Sequence, residues 1–212
     1  MEQHQATPAS TDIKQQLSST ALPARPDIGV DRRVLQLVYP LPLIVGPKPP
    51  VVRIPGVVSA VQCEELRSIA NQHFETGNKW GNFLDFTYIT VSEAKWLYDA
   101  ITHEFMKNNP WELSISGVYE QFRAIRYPTG RGQRWHTDFD VEDNDPSKLG
   151  FVLGISDPSE YEGGELCVGR ERVKIQQGEV AIFPGYIMHS VSEVTAGQRY
   201  VAAGWASGPA FR

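Results

Sequence analysis

The stretch RWHTDFD, residues 134–140, sets an imidazole at His136 and a carboxylate at Asp138 two positions apart in a chain with only five histidines. A third candidate ligand, His189 in FPGYIMHSVSEV, follows about fifty residues later. Two neutral imidazoles and one carboxylate on one face of an octahedron leave three positions open, an arrangement suited to a non-haem Fe(II) that must also hold an organic chelate and dioxygen. The same donor set suits zinc. A solvated pair in a turn near Gly130 and Gly132 would show the same spacing, so the motif alone leaves both readings open.

For a metal site, residues 136–138 must be extended. Alternation then sends His136 and Asp138 to one side and Thr137 to the other, and His189 must come from a neighbouring strand. After Pro110 the chain does break into short β-rich runs punctuated by Gly, Pro and Asp, at 118–127, 149–156, 164–175, 179–183, 187–192 and 198–206. Strands at this spacing predict a sandwich or barrel. Two helices come before them. Ser59 and Gln62 fit a capping box that opens a helix over about 59–74, and Leu97, Ile101 and Phe105 form the apolar stripe of a second over about 92–107. Helices first and strands afterwards make an α+β fold with the helices packed on one side of the β core. His73 reads as a core-edge histidine and His103 as solvent-facing.

Several further residues fall in a telling order around the candidate ligands. Gly163-Gly164-Glu165-Leu166 forms a glycine turn feeding a strand between Asp138 and His189, Phe183-Pro184-Gly185 precedes the second histidine as a structural turn, and Arg199 follows it by ten residues. With RYPTGRGQRWHTDFD, ISDPSEYEGGEL, GEVAIFPGYIMHSVSEVTAGQRYVAAGW and the helical start VVSAVQCEELRSIA, the chain resembles the Fe(II)/2-oxoglutarate-dependent dioxygenases. The resemblance is to the prolyl-4-hydroxylase-like branch, which includes PKHD-type hydroxylases and phage 2OG-Fe(II) oxygenases, and it covers about residues 50–206.

The resemblance implies a double-stranded β-helix, the cupin-like jelly roll, with helices on one sheet. It implies His136, Asp138 and His189 as iron ligands and Arg199 as the partner of the distal 2-oxoglutarate carboxylate, a match for the planar fork of a guanidinium. Tyr127 corresponds to a tyrosine that hydrogen-bonds the same co-substrate. The implied reaction hydroxylates an unactivated C–H bond of a prolyl or other peptide side chain, consuming O2 and releasing succinate and CO2, with ascorbate as the reductant. A small metabolite or a nucleobase is the alternative substrate, and a non-oxidative metal-binding cupin-like module is the alternative class; it would leave Arg199 without a task.

If Tyr127 faces a cavity, alternation carries Ile125, Arg123, Gln121 and Tyr119 to the same side, which makes Arg123 and Gln121 substrate candidates. Arg134 and Trp135, in the loop before the ligands, join them as candidates for the rim. One departure stands out: at Gly154 many relatives carry a larger side chain that touches the co-substrate.

At 212 residues the chain suits one domain with a tail. Residues 1–49 read as an amino-terminal tail or wrapping arm, containing an apolar segment over 34–45 that suits an irregular edge strand, and 50–212 read as the dioxygenase domain. A net charge of −5 weighs against broad electrostatic binding of nucleic acid. No apolar run approaches a bilayer span, and the polar amino terminus lacks the pattern of a secretory signal, so the expected location is cytoplasmic. Cys63 and Cys167 read as buried thiols.

Overall fold

The computed structural model describes residues 48–76, 85–139 and 147–209. The amino-terminal arm up to residue 47, and with it the edge strand expected over 34–45, lies outside the described residues. Two antiparallel sheets face one another. The larger contains β1 (Val52–Ile54), β10 (Val180–Pro184), β6 (Ser147–Gly154), β12 (Val194–Ser207), β4 (Phe122–Pro128) and β2 (Asp85–Ile89) in that order, with β3 (Gly117–Val118) and β7 (Tyr161–Gly163) also paired to β12. The smaller is β5 (Gln133–His136), β11 (His189–Val191), β8 (Leu166–Val168) and β9 (Glu171–Val173). This is the jelly-roll arrangement, and the two helices lie on one sheet as the resemblance implied.

Alternation along the central strands builds two apolar layers at once. Tyr200, Ala202 and Ala206 of β12 and Val180 and Ile182 of β10 face the helices. Val201 and Ala203 of β12 and Ala181 and Phe183 of β10 face the smaller sheet, where they meet Leu166, Val168 and Val173. The helix α1 (Ala60–Glu75) starts at the expected capping box: the Ser59 amide donates to Gln62 Oε1 at 3.0 Å and the Gln62 amide to Ser59 Oγ at 3.3 Å. In α2 (Val91–Lys107) the stripe Leu97, Ile101 and Phe105 is fully buried. His73 bridges the helix layer to the sheet through Thr87 Oγ1 at 3.0 Å and Glu93 Oε1 at 2.7 Å, and His103 is exposed. Both cysteines are buried and free, and burial pushes the Cys63 thiol up to about 11.

Two expected strands divide. The run 164–175 is a hairpin, because Gly169 takes a left-handed φ of 58° between β8 and β9. The run 118–127 breaks between β3 and β4, and residues 119–121 belong to neither. The strand β2 was not foreseen: it is a five-residue segment that owes its extended form to pairing with β4 along its whole length, which local propensity does not reveal.

Candidate metal and co-substrate site

The strands β5 and β11 bring the two histidines together as a directly opposed pair, His136 against His189, with ring centroids 4.2 Å apart. Asp138 completes the group. Its Oδ1 lies 3.6 Å from His136 Nε2 and its Oδ2 lies 3.4 Å from His189 Nε2, and one ligand atom from each residue falls within 4.8 Å of the others. Thr137 is exposed, as alternation requires.

Backbone carbonyls fix which ring nitrogen is free. His136 Nδ1 donates to the Arg134 carbonyl at 2.7 Å, and His189 Nδ1 donates to the Ile187 carbonyl at 3.0 Å. Holding the proton on Nδ1 leaves each Nε2 lone pair aimed at the common point, the second contact typical of metal-ligating histidines. Burial lowers the His189 pKa against the opposing pull of Asp138, which favours the neutral ligand form. Asp138 is held through its own amide, which donates to the Gly185 carbonyl at 2.9 Å. Phe183 is buried in the core as the structural reading expects, and its ring also packs against that of His189, with centroids 4.6 Å apart.

The site opens into a cavity of about 320 Å3 between the sheets, with walls that include Phe86, Arg123, Tyr127, Val152 and Trp205. Behind it sits Arg199, 1% exposed. Arg199 lies on the same face of β12 as Ala203 and Trp205, which line the cavity, and pairs in register with Tyr127 of β4, its guanidinium carbon 5.4 Å from the phenol ring centre. Both terminal nitrogens of Arg199 are buried with no hydrogen-bond partner among the described residues. A desolvated cation left this way is costly, and a carboxylate would satisfy both nitrogens by parallel charge-assisted bonds. Gly164 makes room for it: a Cβ there would stand 2.8 Å from Arg199 Cδ. Burial raises the Tyr127 pKa although the Arg199 charge opposes the shift, so its hydroxyl stays a donor at neutral pH.

Among the rim candidates, Arg123 lines the cavity. Gln121 does not: it precedes β4, where the alternation from Tyr127 no longer holds, and is exposed. Arg134 and Trp135 are exposed and also off the cavity wall, whereas Gln133 is on it. A register shift between β5 and β11 sets residues 133–136 against 189–191, and this bulge aims both Gln133 and His136 inward despite their odd spacing. At Gly154 a Cβ would meet the Gln176 carbonyl oxygen at 2.3 Å. The close passage of that backbone requires glycine, and the position does not line the cavity. Gly150 is the glycine that matters for the ligands, since a Cβ there would lie 3.1 Å from Asp138 Oδ2. Trp205 was legible in principle, six residues beyond Arg199 on the same alternating face; Phe86 sits on the unforeseen β2 and had no such signal.

Residues 122–207, which carry all three candidate ligands, Tyr127 and Arg199, match the model of the 2OG-Fe(II) oxygenase superfamily. The match covers about two fifths of the chain and all of the candidate site. A PKHD-type hydroxylase of Prochlorococcus marinus is 41% identical over 80 residues, 36% of this chain and 36% of that protein. The match thus spans about a third of the curated relative's length. Among solved structures, the viral collagen prolyl hydroxylase of Paramecium Bursaria Chlorella virus-1, described as a 2OG complex, superposes with TM-score 0.62 at 19% identity, covering 76% of this chain and 97% of that one. A prolyl hydroxylase from Trichoplax adhaerens, in complex with a hypoxia inducible factor oxygen degradation domain peptide fragment, gives 0.60 at 15% identity over 74% and 84%. These likenesses show the double-stranded β-helix fold. Fe(II) and 2-oxoglutarate fit the residues present: the superfamily's metal finds two oriented imidazoles and a carboxylate, and its co-substrate finds an unpartnered buried guanidinium.

Proposed function

We propose that the protein is an Fe(II)- and 2-oxoglutarate-dependent dioxygenase that hydroxylates an unactivated C–H bond, in a prolyl or other peptide side chain. One oxygen atom of O2 enters the substrate as hydroxyl and the other enters succinate, with loss of CO2. The observation that carries this reading is the His136, Asp138 and His189 cluster on the cavity wall together with the buried guanidinium of Arg199, which has no partner among the described residues and stands behind the lining residue Tyr127. A metal-binding module without a diacid ligand would have no use for that cation.

In this reading His136, Asp138 and His189 hold the iron, with Asp138 offsetting part of its charge. Arg199 binds the far carboxylate of 2-oxoglutarate and Tyr127 donates a hydrogen bond beside it. The bound metal and co-substrate supply, with dioxygen, the oxidising power that no protein side chain has. The protein's part is then to position the target bond and keep water out, and apolar walls at Val152, Leu166 and Val191 serve the second purpose. The Trichoplax neighbour's peptide supports a peptide substrate.

The test is product formation. Protein loaded with Fe(II) under anaerobic conditions and then exposed to air with 2-oxoglutarate should yield succinate, and proline-containing peptides incubated with it should gain one oxygen atom by mass. Absence of succinate would overturn the dioxygenase reading. Succinate formation accompanied by oxygen gain in a small metabolite, with peptides unmodified, would overturn only the peptide assignment.

A further inference from the structure

Resting on that reading of the site, we infer that Arg123 is the receptor for a carboxylate carried by the substrate, so that the enzyme selects peptides with an acidic group next to the residue it hydroxylates. Arg123 projects from β4 on the same face as Tyr127, four residues away, which at the rise of a strand is about 13 Å. It therefore lies well apart from the Tyr127 and Arg199 pair. Its guanidinium is held between two rings, 4.6 Å from the centre of Trp205 and 5.4 Å from that of Phe86. Both rings line the cavity. Such faces attract the cation and fix its plane, yet they take none of its N–H donors, and Nε is buried without a hydrogen-bond partner among the described residues.

Its place relative to the metal ligands follows from the sheet. Trp205 pairs with Gly150, and the open side of Gly150 faces Asp138. A row of neighbours thus leads from Asp138 through Gly150 and Trp205 to Arg123, and puts the cation on the wall beside the ligand cluster.

Charge matching supplies the ligand's sign. Among the described lining residues, Asp138 is the sole carboxylate and Arg123 the sole guanidinium. The charges of the metal and of Arg199 are matched by Asp138 and the dianionic co-substrate. Arg123 is left over, half-buried beside largely apolar walls, where a charge is less well solvated than in open water. One further negative group is needed to neutralise it, and a carboxylate offers the planar acceptor pair a guanidinium fits. The carboxylate could come from an aspartate or glutamate side chain or from a peptide's free terminus.

Calorimetric titration of the Mn(II)- and 2-oxoglutarate-loaded protein, without oxygen, decides the matter. The probes are blocked prolyl peptides with aspartate or glutamate flanking the proline against their asparagine and glutamine counterparts, and acetylproline against its amide. We expect the acidic member of at least one pair to bind roughly tenfold more tightly, the worth of a charge-assisted bond over a neutral one. In Arg123→Gln that preference should shrink to less than about twofold, and Arg123→Lys should restore part of it. A preference among the peptide pairs identifies a side-chain carboxylate, and one confined to acetylproline identifies the terminus. Pairs that bind alike, bind not at all, or keep their preference in Arg123→Gln would overturn the proposal while normal 2-oxoglutarate binding leaves the dioxygenase reading standing. Failure of 2-oxoglutarate itself to bind would remove both.

Discussion

At the level of single residues, the site is built from groups whose alternatives are blocked. His136 and His189 present Nε2 because Nδ1 is taken by a carbonyl two residues back in each case. Arg199 is buried with its terminal donors unspent among the described residues, and Arg199→Ala should raise the 2-oxoglutarate concentration needed for half saturation at least roughly tenfold, given the cost of truncating one side of a buried charge pair. A titration in the presence of metal checks this, and an unchanged requirement would remove Arg199 from the site. Gly150→Val makes a separate prediction. Its side chain would press on Asp138 and Phe183, so metal affinity should fall by roughly tenfold or more, as when a ligand's supporting contacts are disturbed. Equilibrium dialysis against Mn(II) measures it.

At the level of elements, the helix layer supports the sheet without touching the chemistry. Leu97→Ala should cost about 2–5 kcal/mol of stability, read by denaturant unfolding, while metal affinity in the remaining folded protein stays unchanged. The junction of α1, α2 and β2 carries a pH dependence. Burial pushes the Glu93 carboxyl up, but the Thr90 amide and hydroxyl and the neighbouring His73 outweigh it and leave the group below its ordinary value. Its contribution to stability is therefore present above the usual carboxylate range and is lost as pH falls through the lowered value. In Glu93→Gln the acid-side decline in unfolding midpoint should be shallower than in the wild type; an identical profile would contradict this.

The elements also show what could be read from the chain beforehand. Both helices were legible because capping and apolar spacing are local signals, and so were the long central strands. The convergence of His136, Asp138 and His189 was legible because they sit at conspicuous spacing in a histidine-poor sequence. What was hidden depends on partners distant in sequence. The β2 strand exists through pairing with β4, the bulge that turns Gln133 inward is set by β11, and Gly154 is glycine because residue 176 passes behind it.

For the molecule as a whole, the two sheets flank an open cavity with the candidate metal cluster on its wall and the buried Arg199 behind it, and the second apolar layer packs the helices. Among the described residues no helix is long and apolar enough to cross a membrane. Since metal and co-substrate would bridge strands of both sheets, binding should stabilise the entire fold. At one hundred times the dissociation constant the gain is about 2.7 kcal/mol, visible as a rise in Tm with Mn(II) and 2-oxoglutarate together. The central claim is that the cluster at 136, 138 and 189 and the cation at 199 hold one metal and one keto-diacid. Calorimetric titration of 2-oxoglutarate into anaerobic Fe(II)-loaded protein tests it most directly. The expected result is a single site that needs the metal, disappears in His189→Ala and weakens at least roughly tenfold in Arg199→Ala; binding that is absent from the wild type, or indifferent to the metal and to both substitutions, would contradict this assignment.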